Sequence, residues 1–147
     1  MSFTEVTYII MVLLGLIYAN LLEWIMHKHI LHRWGKDKYS KFHFHIEHHA
    51  ACSRNNMQDS PSLHEAFYLF LLSLGHTWLL YFSTWFFFGA MLGCVLYWCI
   101  HTKAHLDSDW MLKWIPWHFT HHSAYPNANW CVTYPLWDII FRTYRWD

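Results

Sequence analysis

Charge is scarce in this chain. Only 14% of its 147 residues are Asp, Glu, Lys or Arg, and none lies between Ala66 and Thr102. With 55% hydrophobic and 21% aromatic residues, the composition excludes an ordinary soluble domain. Ten Lys and Arg balance ten Asp and Glu, so there is no basic excess to bind nucleic acid. The four cysteines (Cys52, Cys94, Cys99, Cys131) form no C-x-x-C and lack the density of a secreted scaffold, so all four are expected as free thiols. The first apolar stretch has no basic leader and no A-x-A site, which excludes a cleaved signal peptide. No glycine-rich nicotinamide or flavin fingerprint is present, so any reducing equivalents must come from another protein.

The uncharged stretches carry the fold. Val6–Leu22 is bounded by Glu5 and Glu23, and Ala66–Thr102 is more than twice as long. A helix crosses a bilayer with about 20 apolar residues. One span is therefore expected at 4–26, and a hairpin of two at 63–82 and 84–102, turning near Ser83 and Thr84. The length suits a single domain over 1–147. It reads as an all-α integral membrane protein with three transmembrane helices and a cytoplasmic helical cap. Every Lys and Arg follows span one or span three. The positive-inside rule then puts both polar regions in the cytoplasm and the N-terminus on the opposite side.

Histidine is the residue in excess, at fourteen copies. Ten of them form four groups: His27 and His32; His45, His48 and His49; His101 and His105; and His118, His121 and His122. The topology brings all four to one membrane level. Positions i, i+3 and i+4 share a helix face, so H-I-E-H-H and H-F-T-H-H each aim three imidazoles one way. His27 and His32 are about 140° apart on an α-helix. They would straddle a seam and serve two metals, or the helix breaks near Gly35. Neutral imidazole is the commonest metal ligand. Ten exceed the four that one tetrahedral zinc takes, and suit two ions of higher coordination with open positions. Fe, Zn, Cu and Ni all accept such nitrogen ligands. His29, His43 and His64 read as interfacial bystanders. His76, at mid-span, reads as a structural residue bonded to a neighbouring helix.

The order H-x4-H, H-x2-H-H, H-x3-H, H-x2-H-H resembles the fatty acid hydroxylase/sterol desaturase superfamily of membrane di-iron enzymes. The tail N-A-N-W-C-V-T-Y-P-L-W-D-I-I-F-R-T-Y (127–144) is similar to the stretch after the last histidine group there. The resemblance runs from Glu23 to Tyr144. Cys131 stands where relatives often have glycine. The small carotenoid hydroxylases are also similar, at H-K-H-I-L-H. The resemblance implies two Fe ions held by the ten histidines, O2 as co-substrate and oxidation of an unactivated C–H bond in a membrane lipid. It also implies an external electron donor such as cytochrome b5 or ferredoxin, and a home in the bacterial inner membrane or endoplasmic reticulum. A purified sample of such a site would also accept Zn.

Imidazole ligands usually donate their second N–H to a carboxylate or carbonyl. Glu23, one turn before His27, and Asp138 are the leading candidates, with Glu47 and Asp107 behind them. Asn127 and Asn129 read as turn formers after Pro126. Hydroxylation is favoured over desaturation. A zinc-dependent membrane hydrolase, with Glu47 as its base, is the alternative from another class. A metal transporter is disfavoured because only His76 lies deep in a span.

Overall fold

The computed structural model describes residues 2–146. Every regular element among them is helical: α1 (Phe3–Ile25), a π-helical continuation (Met26–Trp34), α2 (Phe44–Arg54), α3 (Leu63–Gly75), a 3-10 turn (Thr77–Tyr81), α4 (Thr84–Leu106), α5 (Ser108–Trp114), α6 (Pro116–Ser123) and α7 (Leu136–Ile140). Two helices are long and apolar enough to cross a membrane. One is Phe3–Trp34 and the other is Thr84–Leu106, and most of each is not buried. Ile9, Leu13 and Ile17 on α1, and Phe88, Leu92 and Val95 on α4, are exposed. A soluble core helix would hide such residues; a lipid-facing one shows them.

α1 and α4 pack in parallel through small residues. A Cβ on Gly15 would collide with the Phe86 carbonyl, one on Gly89 with the Val12 carbonyl, and one on Gly93 with the Ala19 side chain. Gly15-x-x-x-Ala19 thus faces Gly89-x-x-x-Gly93, the small-residue seam that lets helix backbones approach in lipid. Tyr8 stacks on Trp85 at the far end of the seam, with ring centroids 4.9 Å apart.

The span expected at 63–82 is not one continuous helix. α3 has 13 residues, about 20 Å of rise. It ends because side chains take over its last carbonyls: His76 Nδ1 donates to the Leu72 carbonyl (2.7 Å) and Thr77 Oγ1 to that of Leu74 (2.9 Å). Such local bonds compete with helix continuation. The other ring nitrogen of His76 meets Tyr18 Oη on α1 at 2.9 Å. α3 runs opposite to its neighbours: Glu65 at its start meets Tyr97 and His101 of α4, and His76 at its end meets Tyr18. Ser83 then caps α4, accepting from Phe86 N, at the turn that the sequence predicts.

The short helices gather at the histidine end. Tyr97, Ala104, Met111, Ile115 and Val132 form one buried cluster there, and Trp24, Trp130 and Cys131 a second. Pro116 opens α6 at its first position, where a missing N–H costs nothing. All four cysteines are free.

Candidate metal centre

The ten spaced histidines converge. His27, His32, His45, His49 and His121 form one group whose ligand atoms lie within 4.8 Å of one another. A second region joins His101, His105, His118 and His122, with His48 and Cys52 sharing His105 and His122. The grouping cuts across the sequence motifs. Within H-I-E-H-H, His45 and His49 turn to the first group and His48 to the second. Within H-F-T-H-H, His121 goes to the first, and His118 and His122 to the second. The groups touch where His49 stacks on His122, centroids 4.1 Å apart.

His27 and His32 do not straddle a seam. The chain is π-helical over Met26–Trp34, and a π-helix brings i and i+5 into line. Their rings therefore lie 5.0 Å apart, in one group. Such π segments recur at functional sites.

Hydrogen bonds fix which nitrogen of each ring is free. A carbonyl or carboxylate only accepts, so the imidazole nitrogen facing it carries the proton. His27 Nδ1 donates to the Trp130 carbonyl (2.5 Å), His121 Nδ1 to that of Ala128 (2.6 Å) and His105 Nδ1 to that of Met57 (2.9 Å). His48 Nδ1 donates to Asp59 (2.6 Å) and His101 Nδ1 to Glu65 (3.0 Å). Each of these five Nε2 atoms then presents a lone pair. His48 Nε2 and His105 Nε2 face each other at 3.2 Å; two lone pairs so placed repel unless a cation lies between them. His118 Nδ1 and both nitrogens of His122 are buried without a hydrogen-bond partner. Such burial is costly, and a metal relieves one nitrogen of a ring: either one for His122, and for His118 the Nε2 that already faces His105 Nε2.

The spacing of the nitrogens speaks to coordination number. Successive Nε2 atoms of the first group (His27–His45, His45–His49, His49–His32, His32–His121) lie 3.0, 3.2, 3.1 and 3.1 Å apart. Nitrogens about 2.1 Å from an ion are about 3.0 Å apart at right angles and about 3.4 Å apart in a tetrahedron. The set suits a six-coordinate ion with one position open. Burial holds the six imidazoles on α2 and α6 (His45, His48, His49, His118, His121, His122) below the ordinary histidine pKa, and neighbouring imidazoles push the same way. They are neutral, the form that binds metal. Cys52 lies 3.4 Å from His105 Nδ1, behind the ring rather than at its free nitrogen. Burial pushes its thiol up to about 12.

Glu23 and Asp138 hold the loop rather than an imidazole. Glu23 accepts from Val132 N, Thr133 N and Oγ1, and Asn20 Nδ2. Asp138 accepts from Trp130 N (2.9 Å), Cys131 N (2.7 Å) and Thr143 Oγ1 (2.6 Å). They act through the backbone, by holding the loop whose Ala128 and Trp130 carbonyls orient His121 and His27. Between those carbonyls Asn129 takes φ 56°, a left-handed conformation that asparagine tolerates. Its side chain bonds Thr120 Oγ1 and both the N–H and the carbonyl of Arg145. Asn56 and Met57, at φ 48° and 68°, likewise turn the Met57 carbonyl onto His105. Glu47 is exposed, and Asp107 caps α5 and pairs with Lys103.

Sequence reasoning missed Asp59, Glu65 and Tyr97. Glu65 is 8% exposed, between Tyr97 Oη and His101 Nδ1. Ser62-x-x-Glu65 reads as a helix start, and Ser62 Oγ does accept from Glu65 N, which masks the second role. His29, His43, His64 and His76 lie outside the cluster: His29 meets Trp24 edge to face, His43 bonds the Gly35 carbonyl, His64 stacks on Phe44 and His76 bonds Tyr18.

No curated protein and no solved structure matches the chain significantly. The family model described as fatty acid hydroxylase matches residues 12–143, a stretch that takes in all ten clustered histidines. The chain therefore belongs to the fatty acid hydroxylase family of lipid hydroxylase and desaturase oxidoreductases, in the superfamily of membrane di-iron histidine-box enzymes.

Proposed function

We propose that this protein is an O2-dependent di-iron monooxygenase that hydroxylates a C–H bond in a membrane lipid. The observation that carries the reading is the cluster: ten inward imidazoles in two sets, with no carboxylate among the ligands, at the end of an apolar cavity lined by His27. Two iron ions held there would supply reductive activation of dioxygen, placing one oxygen atom in the C–H bond and releasing the other as water with two electrons and two protons.

The chain's own residues prepare that chemistry. The Trp130, Ala128 and Met57 carbonyls hold three ring planes. Asp59 and Glu65 put negative charge behind His48 and His101, which strengthens imidazole donation. Leu22, Leu31, Leu69 and Leu72 line the approach and exclude water. The electrons come from an external donor such as cytochrome b5 or ferredoxin.

Three spans are the topology that fits. α1 and α4 run parallel with their histidines at one end, so the chain between them must recross, and α3 with the following 3-10 turn runs back that way. The basic residues favour a cytoplasmic histidine end. The hydrolase alternative needs a free general base, but Glu47 is exposed, while Asp59 and Glu65 are occupied by imidazoles.

The test is lipid mass spectrometry of expressing cells under ¹⁸O2, beside the His121→Ala variant. One labelled oxygen in a new lipid, absent in the variant, is expected. An unlabelled unsaturated product would make the protein a desaturase; product surviving in His121→Ala would overturn the reading.

A further inference from the structure

The apolar cavity has a measurable shape. It runs lengthwise between α1, α3 and α4. Its metal end is lined by Met26, His27, Phe42, Phe44 and Glu65, and its deep end by Ala19, Leu72, Gly93 and Cys94. The deep end is closed where α1 and α4 touch, since even one Cβ added at Gly93 would strike Ala19.

We infer that this cavity takes one unbranched alkyl chain, methyl end first, and acts as a ruler that presents a carbon about nine or ten bonds from the methyl terminus. The inference rests on the oxygenase reading above. Ala19 and His27 are eight residues apart on one helix, roughly 12 Å at 1.5 Å per residue. A C–C bond of about 1.5 Å at an angle near 111° advances the chain about 1.25 Å, so about nine or ten bonds span that depth. The centre of a water-sized sphere has about 60 Å³ in which to move; spread over that length and widened by the sphere's own diameter, this is a bore of roughly 5 Å. That bore passes a methylene chain and is tight for a fused-ring sterol.

Polarity sets the direction. Among the described residues the only carboxylates on the lining are Glu23 and Glu65, and both are filled by protein donors: Glu23 by Asn20, Val132 and Thr133, Glu65 by Tyr97 and His101. A headgroup at the deep end would find no partner and would be desolvated at a cost. At the metal end Tyr68 packs on Phe42 and Phe44, centroids 5.1 and 5.9 Å apart. These rings border the route by which the rest of the lipid leaves.

The test uses the full chain in membranes and a long saturated fatty acid carrying a diazirine at its methyl end. After irradiation and peptide mapping, insertion is expected near Ala19, Leu72 or Cys94, and is competed away by the unlabelled acid. A probe with the diazirine beside the carboxylate should label near Leu31, Phe42 or Phe44 instead. Methyl-end labelling of the outward face, at Phe88 or Val95, would overturn the ruler. In the same membranes, Leu72→Trp and the milder Cys94→Leu fill the deep end. Either should move the oxidised carbon toward the methyl terminus; an unchanged position in both would overturn it. Labelling needs neither O2 nor metal. Deep-end labelling without oxidised product, although O2 and a reduced donor protein are supplied, leaves the ruler standing and sinks the oxygenase reading, and oxidised product with outward labelling does the reverse.

Discussion

Asp138 is the most informative residue to change outside the histidines. It is fully buried and accepts from two backbone N–H groups and one hydroxyl. Asp138→Ala leaves the Trp130 and Cys131 N–H groups buried without a partner, at about 1–3 kcal/mol each, or roughly 2–6 kcal/mol in total. For a chain of this size that corresponds to a fall in melting temperature of roughly 5–20 °C. The effect on metal should be selective. The Trp130 carbonyl orients His27, and the same loop carries the Ala128 carbonyl that orients His121; both histidines belong to the first group. Metal there should be lost well below the melting temperature, while the second group keeps its share. Asp138→Asn, which retains one accepting oxygen, should fall between. The assay is thermal unfolding in detergent with metal counted per chain. A variant that melts like the parent with full metal would refute the argument that the loop holds the site.

Other outcomes follow from the same geometry. The six imidazoles on α2 and α6, four buried and two half-buried, have folded pKa values depressed below 6.5. Above about pH 6.5 they are neutral in both states and cost nothing; below it the unfolded chain takes protons that the fold refuses, at about 1.4 kcal/mol per pH unit for each group. The metal-free protein should therefore lose stability as pH falls through 6.5 to 5, and a flat pH–melting profile would contradict this. Asp59→Asn and Glu65→Gln should each weaken metal binding by about 10–100-fold with the fold retained, as read by competition with a chelator. Gly89→Leu should drive its side chain into the Val12 backbone and cost about 1–3 kcal/mol or more; a parent-like melting curve would argue against the parallel seam. His121→Ala should remove metal while His43→Ala, whose ring bonds the Gly35 carbonyl outside the cluster, keeps it; equal loss in both would dissolve the distinction.

The histidine cluster was legible because spacing is local: i, i+3 and i+4 on α2 and α6 need no tertiary knowledge. The pairing of His27 with His32 was not, because it depends on π-helical winding that ordinary α-helical geometry does not anticipate. Hydropathy located both long apolar helices. It overran α3, whose end is set by the His76 and Thr77 side chains rather than by composition. The partners of the imidazoles were the least visible. Glu65 reaches His101 across 36 residues and the Trp130 carbonyl reaches His27 across 103, and a backbone carbonyl leaves no mark in a sequence. Glu23 and Asp138 drew notice by proximity and motif, yet their work is on the loop at 128–133.

Iron content and X-ray absorption at the iron edge, on protein purified from iron-fed cells, decide between two metals and any other number. Two irons per chain are expected, each in a nitrogen-dominated shell at about 2.1 Å with five imidazoles and an open position. One metal per chain, a four-coordinate shell, or a sulfur neighbour from Cys52 would contradict it.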